Sequence, residues 1–160
     1  MSLDPEDLRG SIIVSIARLG FLGKAPKAPG TVATVAAGVP VAYVLSLFPY
    51  GWACAFLTLL SLGACWVCGE AERLAGRGDP REVVLDELVG FLVTTVGLTM
   101  TPLSLGLAVL YFRAMDILKP WPVCVLDRQL KGGLGIVADD VAAGLYAHGL
   151  LAVTLTVMGS

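Results

Sequence analysis

Five of the thirteen acidic side chains in this sequence, Asp86, Glu87, Asp116, Asp139 and Asp140, stand within one or two residues of strongly apolar segments. An ionised carboxylate in such a setting is costly unless it is paired, hydrated or bound to a metal, so each of these acids calls for a partner. Asp86 and Glu87 lie in Val83-Val84-Leu85-Asp86-Glu87-Leu88-Val89-Gly90-Phe91. Neighbours on a helix differ by about 100°, so both acids can face one interior groove, while Gly90 lets another helix come close. Oxygen donors of this kind suit Mg²⁺, which is held by a few carboxylates together with water and phosphate. An acidic pair answering a helix dipole at the interface would read the same way.

Three further motifs supply what a phosphate would need. In Arg113-Ala114-Met115-Asp116-Ile117-Leu118-Lys119-Pro120-Trp121-Pro122, spacing of three places two cations around one acid on a helical face, before prolines stop the helix. This is either a phosphate clamp beside a metal or a local ion-pair ladder, with Trp121 an interfacial anchor. Lys24 and Lys27 precede Ala28-Pro29-Gly30-Thr31-Val32-Ala33-Thr34, a proline-glycine turn feeding a helix start. Free N–H groups and a hydroxyl there make an anion site, or an ordinary capped helix with a small-residue packing face. The glycine-rich run Lys131-Gly132-Gly133-Leu134-Gly135 reads as a loop, with Asp139 and Asp140 where the next helix begins. Metal ligation is the preferred reading of that last pair.

The elements that must position these groups are apolar helices. The sequence is 56% hydrophobic and 15% charged, with a mean hydropathy of +0.81, against about 25% charged in ordinary soluble domains. No charge occurs from Ala28 to Gly69, 42 residues that Pro49-Tyr50-Gly51 divides into a helical hairpin. The next uncharged run, Leu88 to Phe112, is interrupted at Thr99-Met100-Thr101-Pro102. The last, Val141 to Met158, holds only His148, for which a hydrogen-bonded core or interfacial role is expected. Lys and Arg fall in three clusters, which by the positive-inside tendency share the cytoplasmic face and bring all five acids there. Leu8, Ile12, Ile16 and Leu19 recur at helical spacing after Asp4-Pro5-Glu6-Asp7, predicting an interfacial N-terminal helix rather than a signal peptide. Cys65-Trp66-Val67-Cys68 lies in an apolar helix without a second pair or a nearby histidine, and reads as small apolar filler. The expected fold is all-α: one domain over residues 1–160, a compact membrane-embedded helical bundle with a short amphipathic helix in front.

Taken in order, Pro-Gly-Thr-x-x-Thr, Asp-Glu-x-x-Gly, Arg-x-x-Asp-x-x-Lys-Pro-Trp-Pro and Gly-Gly-x-Gly-(x)3-Asp-Asp-(x)3-Gly run from residue 29 to 144. This ordered set resembles the phosphatidylglycerophosphatase A family of bacterial lipid phosphatases. Ala33 stands where that family often has glycine, and Val137 where methionine is common. The resemblance implies Mg²⁺-dependent hydrolysis of phosphatidylglycerophosphate to phosphatidylglycerol and inorganic phosphate, at the cytoplasmic side of the bacterial inner membrane. It carries functional positions onto Gly30, Thr31, Thr34, Asp86, Glu87, Arg113, Asp116, Lys119, Asp127, Arg128, Asp139 and Asp140. The five acids would hold metal and do the chemistry, while Gly30, Thr31, Thr34, Arg113, Lys119, Asp127 and Arg128 would bind phosphate. The expected partners are the phospholipid substrate and the membrane, with a homo-oligomer left open and nucleic acid excluded.

Other phosphatase chemistries lack their residues. No Cys is followed six residues later by Arg, one histidine cannot serve a paired-histidine phosphatase, and Asp-x-Asp-x-Thr does not occur. The Asp-Gly-x-x-Ala-Arg run of phospholipid headgroup transferases is also missing. The competing readings are a small ion carrier or channel using intramembrane carboxylates, and a membrane scaffold without turnover.

Overall fold

The computed structural model describes residues 5–76, 80–121 and 123–159, apart from the side chains of Pro5, Asp127 and Arg128. Among the described residues there are helices and no strands: α1 (Pro5–Ala17), α2 (Pro29–Ser46), α3 (Tyr50–Ala75), α4 (Leu85–Thr95), α5 (Pro102–Leu118), α6 (Val123–Gln129) and α7 (Gly132–Met158). The helices α2, α3 and α7 are long and apolar enough to cross a membrane. Large apolar side chains such as Leu59, Leu62, Leu134, Leu145, Val153 and Val157 point outward along α3 and α7. In water this surface would be strongly unfavourable; against acyl chains it costs nothing.

The breaks fall where backbone chemistry puts them. Pro49 precedes α3, which stops at Gly76 in the left-handed conformation. Thr101 and Ser104 form a reciprocal capping box at the start of α5, with Pro102 in its first turn, so the uncharged run is divided into α4 and α5. Pro40 has no N–H to give the α2 ladder, and the turn just before it, Thr34–Gly38, widens to a π turn in which Val39 N–H reaches Thr34 O.

The helix α7 is the axis of the bundle, with α3, α4, α5 and α6 packed on it. Every residue of α4 except Glu87 is buried, so this short helix is core on nearly all sides. Glycine permits its crossing with α7: a Cβ on Gly90 would come 2.6 Å from the Asp140 carbonyl oxygen and 2.7 Å from the Phe112 ring. Phe112 meets Phe91 edge to face, with centroids 6.1 Å apart. In front of the bundle, α1 buries Ile13 and Ala17 but leaves Leu8, Ile12 and Ile16 exposed, as an interfacial helix would. Asp4, the expected cap, lies outside the described residues.

The glycine-rich run is not a loop. The helix α7 begins at Gly132, so Asp139 and Asp140 sit two turns inside it rather than at its start. Glycine is disfavoured in a helix by about 1 kcal/mol relative to alanine, but here backbone contact outweighs it. A Cβ on Gly133 would collide with the Cys65 carbonyl and come 2.6 Å from Gly69 N, so α3 and α7 touch backbone to backbone.

Candidate active site

One end of the bundle collects the start of α2, the C-terminal part of α3, the start of α4, the end of α5 and the first turns of α7. This gathers most of the residues singled out above. Asp86 is 7% exposed, Asp139 8% and Asp140 3%, so three acids from two helices are buried together. Asp140 lies within electrostatic range of Asp86, Asp116, Asp139 and Glu87. The acids are not equivalent in their partners. Arg113 Nη1 stands 2.9 Å from Asp116 Oδ2 and 3.4 Å from Glu87 Oε1, and Lys119 Nζ donates to Asp139 Oδ2 at 2.6 Å.

The expected ladder on α5 is therefore only partly realised. Arg113 and Asp116 pair one turn apart, but Lys119 is the left-handed residue that ends the helix, and it turns to α7 instead. Two cations thus meet three carboxylates, Arg113 between Asp116 and Glu87 and Lys119 on Asp139.

Gly30 is buried under the Glu87 carboxylate, which lies against its Cα. Thr31 is half-buried in the same turn, and Thr34 is fully buried at the start of the π turn. The side chains of Asp127 and Arg128 lie outside the described residues, so their expected part in phosphate binding is not placed. Cys68 is fully buried and lies near Asp86 and Asp140, which makes it a lining residue of the site. Cys68 packs in the apolar core as its sequence setting predicts, and the backbone contact of the neighbouring Gly69 with α7 brings it to the acids.

Several buried polar atoms here have no hydrogen-bond partner among the described residues: Thr34 Oγ1, Arg113 Nε and Asp140 Oδ2. Arg113 Nη1 also makes its two ion pairs without hydrogen-bond alignment. Buried polar groups are nearly always satisfied, and leaving one unmet costs about 1–3 kcal/mol. Both donors and acceptors are left wanting, which a dianionic phosphate accompanied by a hard cation would meet. No three His, Cys, Asp or Glu among the described residues form a closed cluster for an ion. Mg²⁺ does not need one, since it usually keeps several waters and takes one or two carboxylates plus substrate phosphate. The donor set, all carboxylate oxygens with one acceptor unmet, fits that ion.

Fold and site thus define a helical membrane protein with a buried carboxylate and cation site suited to a phosphate ester. Comparison with known proteins gives the particular family. The family model of phosphatidylglycerophosphatase A matches residues 15–155. Phosphatidylglycerophosphatase A of Escherichia coli K12 is 32% identical over 133 residues, covering 81% of this chain and 75% of that protein. The Haemophilus influenzae protein of the same name is 34% identical over 121 residues, covering 75% and 74%. A Bacteroides thetaiotaomicron protein provisionally named a phosphatidylinositol-3-phosphatase is 32% identical over 159 residues, covering 94% and 99%. No solved structure matches. The chain belongs to the phosphatidylglycerophosphatase A family, and it is accordingly a phosphoric monoester hydrolase of lipid metabolism. The relatives give no support to the ion-carrier reading.

Proposed function

We propose that this protein hydrolyses phosphatidylglycerophosphate to phosphatidylglycerol and inorganic phosphate, with Mg²⁺, at the cytoplasmic face of the bacterial inner membrane. The observation that carries this reading is the gathering of buried Asp86, Asp139 and Asp140 at one end of an apolar helix bundle, together with Arg113, which pairs with Asp116 and Glu87, and Lys119, which pairs with Asp139. Charge at that end is what a membrane-anchored phosphate monoester brings its headgroup to meet, while its acyl chains stay among the apolar faces of α2 and α3.

Asp86 and Asp140, with Asp139 beside them, would hold Mg²⁺, which when bound neutralises phosphoryl charge and makes water a better nucleophile. Arg113 binds the phosphate through its unmet Nε and its loosely paired Nη1. Lys119 restrains Asp139 and adds positive charge on the α7 side. Thr34, whose buried hydroxyl has no hydrogen-bond partner among the described residues, would offer it to the same anion. In the reaction the bond from phosphorus to the glycerol oxygen breaks, a water oxygen is joined to phosphorus, and the alcohol leaves with a proton.

The deciding experiment is phosphate release by the detergent-purified protein with Mg²⁺ and with EDTA. Phosphatidylglycerophosphate and phosphatidylinositol 3-phosphate are offered in parallel, because the relative that covers most of this chain is named for the second lipid. Mg²⁺-dependent release from phosphatidylglycerophosphate, with slower release from the inositol lipid, is the expected result. The reverse order would reassign the substrate, and no release from either by folded protein would overturn the phosphatase reading.

A further inference from the structure

Gly30 and Glu87 come from distant parts of the sequence, yet the Glu87 carboxylate rests on the bare Cα of Gly30. A Cβ built there would run into both carboxylate oxygens and Cδ. Backbone conformation does not explain the glycine, because Gly30 is helical and is not among the residues with positive φ. Alanine would favour the helix by about 1 kcal/mol, so what glycine gives this position is space. The same carboxylate reaches Arg113 Nη1, which meets Asp116 on its other side. Asp86, about 100° round α4, lies near Cys68 and acts on Asp140 more strongly than Glu87 does.

We propose that Glu87 is a positioning residue rather than a metal ligand: it seats the first turn of α2 through Gly30 and holds Arg113 where the phosphate binds. The Asp-Glu pair is thereby divided, Asp86 serving the cation and Glu87 the anion clamp. Gly30 is glycine to admit that carboxylate and not to let backbone approach the phosphate. The assignment of Arg113 to phosphate rests on the function proposed above; the contact between Gly30 and Glu87 does not.

A double-mutant cycle on the full chain tests it, using Gly30→Ala, Glu87→Ala and the double variant, with Glu87→Gln as the milder replacement. If the residues share one contact, each single change lowers kcat/KM about thirtyfold, and the double variant falls within about threefold of the worse single. Losses that multiply, or a Gly30→Ala variant as active as the parent, would overturn the proposal. Mn²⁺ affinity read by electron paramagnetic resonance separates the two roles: it stays within about threefold in both Glu87 variants and falls more than about tenfold in Asp86→Asn. Equal loss of Mn²⁺ in Glu87→Gln and Asp86→Asn would make Glu87 a ligand and sink the division. If Gly30→Ala does not fold, recovery of the fold in the double variant supports the contact, and failure to recover counts against it. Should the parent release no phosphate from any lipid, the function fails, while the same cycle on unfolding temperature still decides the contact.

Discussion

The two halves of the bundle treat buried polar groups in opposite ways. In the half away from the acids, every polar side chain named here finds a local partner. Thr94 donates to Gly90 O at 3.0 Å, Thr95 to Phe91 O at 3.2 Å, and His148 Nδ1 lies 3.2 Å from Thr94 O. Tyr111 and Thr154 hydroxyls meet at 3.1 Å, and Ser104 closes its capping box. In the acidic half, Thr34 Oγ1, Arg113 Nε and Asp140 Oδ2 are buried without hydrogen bonds among the described residues. Helices of similar composition make both halves, so hydropathy does not separate them. What differs is satisfaction: the first half meets its own polar groups, and the second keeps buried groups that a bound phosphate and cation would meet.

The sharpest way to break this contrast is to remove charge where it is least satisfied. Asp140→Asn keeps the shape of a side chain that is 3% exposed and removes its anion. Phosphate release should fall by about a thousandfold or more while the helical circular dichroism is retained. A variant within tenfold of the parent would show that the deepest carboxylate is structural and that the halves are not different in kind. Arg113→Lys comes next, because it keeps one positive charge but loses the planar guanidinium, whose Nη1 meets both Glu87 and Asp116 while Nε is left for the phosphate. A loss of about a hundredfold in kcat/KM is expected, carried partly by KM. Lys119→Met should cost about tenfold, since it strips Asp139 of a charge-assisted partner at the rim of the site.

The sequence made the acidic half legible as a set and left its wiring hidden. Apolar run lengths and the breaks at Pro49 and Pro102 located α2, α3 and α5, because proline and capping chemistry act locally. The ordered motifs bring Asp86, Arg113, Asp116 and Asp140 to one end because Asp86 opens α4, Arg113 and Asp116 close α5 after the chain has turned back, and Asp140 lies in the first turns of α7. Local rules failed at Gly132-Gly133-Leu134-Gly135, where three glycines within four residues signal a loop. Contact with Cys65 and Gly69, distant in sequence, makes them helix. Pairing was equally invisible: spacing of three put Arg113, Asp116 and Lys119 in one ladder, but a left-handed residue at the helix end turns Lys119 to Asp139. Periodicity fixes which face a residue occupies, whereas its partner depends on which helix covers that face.

The smallest effects belong to the satisfied half. Ser104→Ala removes the side of the α5 capping box in which the Ser104 hydroxyl accepts from Thr101 N–H, and should lower stability by about 1 kcal/mol, seen as an earlier thermal unfolding transition with activity kept. His148→Ala is the finer test, since histidine is the residue most readily given a catalytic role. Here its ring meets the Thr94 carbonyl inside a network that already includes Gly90 and Gly144, on the same α4 and α7 crossing that positions Asp86 and Asp140 two turns away. Losing that contact should cost about 1 kcal/mol of stability and change phosphate release by less than about twofold. A larger loss of kcat at unchanged stability would mean that the two halves communicate through the crossing, and that the far half does more than hold the near one in place.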